Sequence, residues 1–260
     1  MYASSLDLIC AWQVSRLSLW RYVPLSMLIA GAAWAGGSAG SLPVLASMVL
    51  AFMLTAQFRL WDDLVDRARD RQAHPLRVVV NAESTTAFVR VLVALGMLNV
   101  LGLGLISGIA AAVVLLGLVA LLALWYWAHH GRGLIHIHAL LLKYPCFVVL
   151  LATAPHSRAD LALAASSVYA AMCAFDLLDD PQHRGRATCI ALASHCGALS
   201  LAPLVATQDR WSLVATLMLL PVLAAAWWRW RTGGSAGVLR YLPFVASALT
   251  VSLIALRGTP

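Results

Sequence analysis

The acidic residues of this chain are concentrated in two short segments. Of the 11 aspartates and glutamates, seven lie at these two places: Asp62, Asp63, Asp66 and Asp70 in the first, and Asp176, Asp179 and Asp180 in the second. Residues three and seven positions apart return to the same face of a helix. Asp63, Asp66 and Asp70 therefore form one stripe, with Asp62 beside it. Like charges at this spacing destabilise a helix unless a cation compensates them.

The second segment repeats this spacing in more apolar surroundings. Asp176, Asp179 and His183 follow the same offsets, and Asp176 lies within an apolar run. Ionisable side chains are costly in such a run and are usually functional. A single acidic segment would more often be a solvated surface that neighbouring arginines balance. Two such segments in a chain with few acids favour a binding site.

The type of side chain in these segments indicates the ligand. Carboxylates without a recognisable histidine and cysteine cluster suit Mg²⁺, which commonly bridges carboxylates to the phosphates of a substrate. A metal ion held in this way neutralises a departing diphosphate and so helps to break its bond to carbon. The sequence therefore predicts diphosphate departure at a membrane surface, with an apolar tail held among the helices.

The composition places this site in a membrane protein. Hydrophobic residues make up 62% of the 260 residues, charged residues only 11%, and the mean hydropathy is +0.83. Soluble domains carry about 25% charged residues. The net charge of +7 is spread between apolar runs, so the composition excludes a nucleic-acid-binding domain, a disulfide scaffold and a disordered chain.

Nine apolar stretches are long enough, or nearly so, to cross a bilayer as helices. They cover residues 22–37, 42–60, 88–106, 110–127, 135–154, 161–178, 189–206, 211–228 and 238–256. Runs such as 110–124 do not alternate between apolar and polar residues, which excludes a membrane β-barrel. The predicted fold is an all-α membrane protein, a single domain over residues 1–260, with nine transmembrane helices in one bundle around a central cavity.

The arginines set the predicted orientation. Cations are concentrated at the amino terminus and in every second connection, whereas the short connections near Gly40 and Gly108 have none. By the positive-inside rule, the amino terminus and both acidic segments are cytoplasmic and the carboxyl terminus lies outside. The preference for arginine over lysine is typical of a GC-rich genome and favours a bacterial plasma membrane.

The first acidic segment resembles a known motif. Asp62-Asp63-x-x-Asp66-x-x-x-Asp70 resembles the NDxxDxxxD motif of the UbiA superfamily of intramembrane prenyltransferases, and Asp176 to Asp180 resembles its second motif, DxxxD. Nine spans with both motifs in cytoplasmic connections are also similar to that family. Three positions depart from the pattern. Asp62 replaces the usual asparagine, His183 stands where many members have a third acid, and Arg77-Val78 replaces Arg-Pro.

The resemblance implies an activity and a set of site residues. The chain would transfer a prenyl group from a prenyl diphosphate to an aromatic or other hydrophobic acceptor within the membrane lipid. Mg²⁺ would be held by Asp63, Asp66, Asp70, Asp176 and Asp180, with Asp62 and Asp179 assisting. Lys143, the only lysine, would contact the diphosphate. Arg59 and Arg77, which flank the first segment, would either bind phosphate oxygens as well or pair with the aspartates. No residue is assigned as the catalytic base.

The spacing of the histidines and cysteines in the sequence does not predict a metal site. His129, His130, His136 and His138 surround a Gly-Arg-Gly turn, but no cysteine or carboxylate completes a zinc spacing nearby. The five cysteines form no CxxC pair and are interpreted as small core residues.

Two other functions stay open. A terpene cyclase of the same superfamily would use the same donor site and capture the cation within its own chain. A transporter or a catalytically silent membrane scaffold would use the acids as an ion site.

Overall fold

The computed structural model describes residues 4–35, 37, 41–128, 133–153, 157–179, 185–207, 209–233 and 237–257. Every regular element in these ranges is a helix, and they contain no strand. The α-helices are α1 (Ser5–Arg16), α2 (Leu19–Trp34), α3 (Ser41–Val65), α4 (Arg67–Ala73), α5 (Val78–Asn81), α6 (Thr86–Ile106), α7 (Ile109–Ala128), α8 (Leu134–Leu141), α9 (Lys143–Leu151), α10 (Arg158–Asp179), α11 (Arg186–Ala206), α12 (Arg210–Arg231) and α13 (Leu242–Arg257). A 3₁₀ turn, Gly237–Tyr241, precedes α13.

Within the described ranges, eight helical segments are long and apolar enough to cross a membrane. They correspond to the last eight predicted spans, and the prediction of an all-helical membrane protein is confirmed. The first predicted span corresponds to α2, which has 16 residues. At 1.5 Å per residue it is roughly 24 Å long, shorter than the bilayer core of about 30 Å. The ninth span and the central cavity stay predictions.

One predicted span is interrupted. Within Leu134–Leu151, α8 ends at Leu141 and α9 begins at Lys143, with Leu142 in a turn between them. Pro145 accounts for the break, because it has no N–H to donate to the carbonyl of Leu141 and its ring crowds that oxygen. The predicted diphosphate ligand Lys143 therefore lies at a discontinuity in a membrane-length segment.

The outer faces of the membrane-length helices are apolar. On α6, Val93, Met97, Leu101 and Leu105 follow one another at four-residue intervals and are exposed, whereas Leu103 is buried. A stripe of exposed large apolar side chains is unfavourable in water but matches the hydrocarbon of a bilayer. These faces support insertion in a membrane.

The chain divides into two compact units. Unit 1 comprises Met1–Met27 and Leu45–Tyr126, and unit 2 comprises Leu28–Val44 and Trp127–Pro260. In unit 1, a small core joins α1, α3, α5 and the start of α6; its buried members are Trp12, Leu17, Ala56, Leu60, Val78, Val79, Ala82 and Phe88. The long connection after α3 is thus packed against the rest of unit 1.

Unit 2 is built around α10. Its buried residues include Ala164, Ala170, Ala171 and Ala174, and small side chains of this kind allow close helix packing in membranes. A core of α10, α11, α12 and α13 surrounds them. At the start of α12, the Ser212 N–H donates to the Asp209 carboxylate at 2.7 Å, and this bond lowers the pKa of Asp209. That cap fixes where α12 begins.

A buried polar pair joins α3 to α6, and it gives the first prediction. The Asn99 amide donates to Gln57 Oε1 at 2.7 Å, and both side chains are buried. Asn99→Leu removes the hydrogen bond to the buried Oε1 of Gln57. We therefore expect the free energy of unfolding to fall by about 1 kcal/mol. Steric trapping in mild detergent measures it. The double variant Gln57→Leu/Asn99→Leu should recover part of the loss; strictly additive losses would show that the pair is not coupled.

The number of spans is tested by locating the two termini. Nine spans put the amino and carboxyl termini on opposite sides of the membrane, and eight put them on the same side. We expect opposite sides, with the amino terminus cytoplasmic, because Arg16 and Arg21 flank the first predicted span. Fusions of green fluorescent protein and alkaline phosphatase to each terminus report the side. Two termini on the same side would show that α2 does not cross.

Candidate functional site

The first acidic segment continues the helical path of α3. The N–H of Asp66 donates to the carbonyl of Asp62 at 2.9 Å, and the N–H of Asp70 donates to the carbonyl of Asp66 at 2.8 Å. Asp66 lies in the turn between α3 and α4 with near-helical backbone angles. The i to i−4 pattern therefore passes through the segment, and Asp62, Asp66 and Asp70 follow one another a turn apart.

Asp63 is the most fully engaged of these carboxylates. It is only 4% exposed. The Trp12 indole donates to its Oδ2 at 2.9 Å, and the Arg16 guanidinium donates to Oδ2 at 3.1 Å and to Oδ1 at 2.8 Å. Arg59 adds a third cationic contact at 3.6 Å. Because α1 supplies Trp12 and Arg16 four residues apart, this network fixes α1 on the end of α3.

Asp70 is buried but only partly engaged. Its exposed fraction is 1%, and its Oδ2 accepts a hydrogen bond from Arg77, the residue just before α5. Its other oxygen, Oδ1, is buried and has no hydrogen-bond partner among the residues that the structure describes. A buried carboxylate oxygen without a donor is costly, so Oδ1 is suited to a cation that is not part of the chain.

The two remaining aspartates of the segment are half-buried. Asp62 accepts a hydrogen bond from the Tyr126 hydroxyl at the end of α7, and Asp66 pairs with Arg69 at 2.5 Å. Each of the four carboxylates thus has a different protein partner.

Arg67 holds the connection that follows the acidic segment. Its guanidinium donates to the carbonyls of Val79 at 2.9 Å and of Ala82 at 2.6 Å. These oxygens lie at the carboxyl end of the short helix α5, where no helical donor is available. Arg67 therefore caps α5 rather than neutralising the neighbouring aspartates.

The second acidic segment lies at the end of α10 in unit 2. Asp176 is half-buried within α10, whereas Asp179 is exposed and pairs with Arg240. Asp180 and His183 lie outside the described residues.

Lys143 is buried at the start of α9. Its side chain is 3% exposed, and its Nζ lies 5.8 Å from the centroid of the Tyr144 ring. A cation on an aromatic face is favourable, and the amino end of α9 adds a positive dipole at the same place. The position is electropositive within an apolar span.

An open cavity lies between α11 and α12 in unit 2. Its volume is about 580 Å³. Arg186 and Arg231 contribute its cationic part, and Ile190, Trp227 and Trp230 contribute apolar surface. The Arg231 guanidinium lies 5.3 Å from the Trp227 ring. This combination suits an amphiphile with an anionic headgroup.

The donor set of the first segment fits Mg²⁺ at some of the predicted ligands. All of its donors are carboxylate oxygens, which Mg²⁺ prefers. Asp70 has a buried oxygen without a partner, and Asp66 lies one turn before it. Asp62 lies a further turn away. Asp63 fits less well, because both of its oxygens already accept bonds from Trp12 or Arg16.

Sequence reasoning offered Arg59, Arg69 and Arg77 as partners of the acids, but it missed Trp12, Arg16 and Tyr126. Trp12 and Arg16 are four residues apart on α1, a spacing that shows one helix face but not what it meets. It also missed His138, Cys173 and His195, whose ligand atoms all lie within 4.8 Å of one another. These three residues are on three different helices, so no local spacing connects them.

Comparison of the chain with family models, with curated proteins and with solved structures found no match.

The network around Asp63 predicts a structural effect of its loss. Asp63→Asn leaves Arg16 and Arg59 beside a neutral amide, so we expect α1 to loosen and its amide hydrogens to exchange at least about tenfold faster. Breaking a buried ion pair commonly costs about 3–5 kcal/mol; Arg16 is partly exposed, so the cost here is lower. Hydrogen exchange with mass spectrometry over residues 5–16 measures the effect.

Asp66→Asn is the matched control, because its partner Arg69 is on α4 and not on α1. This variant should leave exchange in α1 unchanged. Unchanged protection in Asp63→Asn would mean that the carboxylate does not fix α1.

Proposed function

We propose that this chain is a Mg²⁺-dependent intramembrane prenyltransferase, which transfers a prenyl group from a prenyl diphosphate to an aromatic or other hydrophobic acceptor. The observation that carries the proposal is the acidic segment at the end of α3. There, four aspartates lie within nine residues of a membrane-length helix and its continuation, and two of them, Asp63 and Asp70, are almost fully buried.

Burial of these charges supports a function beyond stability. Carboxylates near a bilayer core are expensive and persist mainly where they are used. A purely structural ion pair accounts for Asp63, whose oxygens are engaged by α1. It does not account for Asp70, which keeps one buried oxygen without a donor. The segment therefore combines a carboxylate fixed by α1, Asp63, with a carboxylate oxygen that can accept a ligand, Oδ1 of Asp70.

Each residue of the first segment has a role in this proposal. Asp66 and Asp70, assisted by Asp62, would hold Mg²⁺, and Asp63 would fix α1 against the end of α3, beside these ligands. When bound, Mg²⁺ supplies positive charge that stabilises the departing diphosphate. Arg77, which already contacts Asp70, and Arg59 would bind phosphate oxygens.

The resemblance to the UbiA superfamily extends the proposal to unit 2. It assigns metal binding to Asp176, Asp179 and Asp180, and phosphate binding to Lys143. The burial of Lys143 at a helix break supports that assignment, because half-helix amino termini in membrane proteins commonly face anionic groups. Apolar helices around the prenyl tail would exclude water, so that the acceptor rather than water captures the allylic cation.

Asp66 provides the direct test. We expect Asp66→Ala to lower Mg²⁺-dependent turnover by at least about 100-fold, since even outer-sphere partners of a metal cost 10–100-fold when removed. Asp66 pairs with its neighbour Arg69 on the exposed side of the segment, so the fold should persist. Purified protein in nanodiscs is given a labelled prenyl diphosphate and a panel of acceptors, and the products are measured by mass spectrometry.

Asp160→Ala is the matched control, because Asp160 lies at the start of α10, outside both acidic segments. It should retain turnover and Mg²⁺ dependence. Equal turnover in Asp66→Ala and the unmodified chain would contradict the metal assignment. A cyclic hydrocarbon formed without acceptor would identify a cyclase, and cation flux into liposomes without diphosphate release would identify a transporter.

A further inference from the structure

A second group of ligand-type side chains lies in unit 2, about one helical turn before Asp176 of the second acidic segment. His138 on α8, Cys173 on α10 and His195 on α11 place one nitrogen or sulfur atom each within 4.8 Å of one another. Cys173 is fully buried and both histidines are half-buried. Among the described residues, these three form the one group of histidine, cysteine and acidic side chains whose ligand atoms are close enough to hold a metal ion.

The hydrogen bonds of His138 settle which of its nitrogens faces the group. Its Nδ1 lies 2.8 Å from the carbonyl oxygen of Leu134. Because a carbonyl oxygen only accepts, Nδ1 carries the proton, and Nε2 of the neutral ring presents a lone pair to His195. That Nε2 lies 2.8 Å from Nε2 of His195. A backbone carbonyl on the far nitrogen is the usual orienting partner of a metal-binding histidine.

Tyr169 orients the same group from α10. Its ring stands edge-on to both imidazoles, at centroid distances of 6.4 Å from His138 and 6.1 Å from His195. Its hydroxyl donates to the carbonyl of His138 at 3.3 Å. Tyr169 lies one helical turn before Cys173, so α10 supplies both a ligand-type thiol and the aromatic side chain that packs against the rings.

We infer that His138 Nε2, Cys173 Sγ and His195 Nε2 bind one borderline or soft transition-metal ion, of the class of Zn²⁺ and Cu⁺, within the membrane-spanning part of unit 2. Two imidazoles and one thiolate are ligands for these ions and not for Mg²⁺. Three protein ligands leave a fourth position for water or another small ligand. The site is therefore distinct in chemistry from the proposed diphosphate site.

Metal binding needs the two imidazoles to separate slightly and the thiol to approach them: the nitrogen–sulfur distances, which here lie within 4.8 Å, would become about 3.5 Å. With metal–nitrogen bonds of 2.0–2.1 Å and tetrahedral angles, the two Nε2 atoms would lie about 3.3 Å apart, against 2.8 Å here. Binding replaces the hydrogen bond between the rings. Cys173 releases its thiol proton to solvent, and His195 moves its proton to Nδ1, so that both Nε2 lone pairs point at the metal.

A hydrogen-bonded histidine pair is the simpler account of these contacts. It explains the ring separation of the two histidines, and Cys173 already has a side-chain hydrogen bond with Tyr169. It does not explain why α10 brings a thiol within 4.8 Å of both ring nitrogens. Metal binding uses all three groups and would cross-link α8, α10 and α11. Metal removal should then lower the thermal stability of the whole chain.

Metal content is the primary test. The full chain, purified in nanodiscs through a tag that binds no metal, is dialysed against Zn²⁺ or, under reducing anaerobic conditions, Cu⁺, and analysed by inductively coupled plasma mass spectrometry. We expect about one equivalent of one of these ions. Titration with Co²⁺ as a probe of the Zn²⁺ arm should give thiolate-to-metal charge-transfer absorption, which identifies the sulfur ligand.

Variants assign the ligands. Cys173→Ser and His195→Gln should each weaken affinity at least about 100-fold, since loss of outer-sphere partners alone costs 10–100-fold. Cys173→Ser should in addition abolish the Co²⁺–thiolate band. Cys146→Ser on α9 and His136→Gln on α8 are matched controls and should bind as the unmodified chain does. If Cys173→Ser fails to fold, the band in the unmodified chain still reports the thiolate. An unmodified chain that binds neither ion saturably, or ligand variants that bind as well as the controls, would overturn the inference.

Discussion

The burial of Asp63 is the constraint on which the organisation of unit 1 depends. A carboxylate almost removed from water is tolerated only where donors and cations surround it. Trp12 and Arg16 meet that need from α1, a segment distant in sequence, and Arg59 adds to it from the same helix as Asp63. The amino-terminal helix α1 is therefore held in place because its Arg16 neutralises the buried carboxylate of Asp63 at the end of α3.

This requirement divides the acidic segment into two kinds of carboxylate. Asp63 is saturated by protein donors, whereas Asp70 has one arginine partner and one buried oxygen that lacks any. The same spacing in the sequence thus produces side chains with different electrostatic surroundings. In the proposed enzyme, the saturated residue provides rigidity and the unsaturated one provides binding, which is how a preorganised site separates support from chemistry.

Much of the helical architecture could be predicted from the sequence, because long apolar runs have few alternatives in a bilayer. The eight membrane-length segments and the helical path through Asp62, Asp66 and Asp70 follow from local pattern alone. The partners of the acids could not be predicted, since Trp12 and Tyr126 reach them across tertiary contacts. The convergence of His138, Cys173 and His195 depends on how three helices pack, which no spacing within one helix reveals.

Pro145 has a further consequence for the segment that carries Lys143. In an unbroken helix, the carbonyl of Leu141 would accept the N–H four residues ahead; proline supplies none. The carbonyl of Leu141 therefore lacks its i+4 donor at the middle of a membrane-length segment, two residues before the buried ammonium group of Lys143. At that depth, the carbonyl of Leu141 can accept from a hydroxyl or a water molecule. The turn itself is held by the Leu142 N–H on the carbonyl of Ala139 and by the Cys146 N–H on the carbonyl of Leu142, each at 3.3 Å.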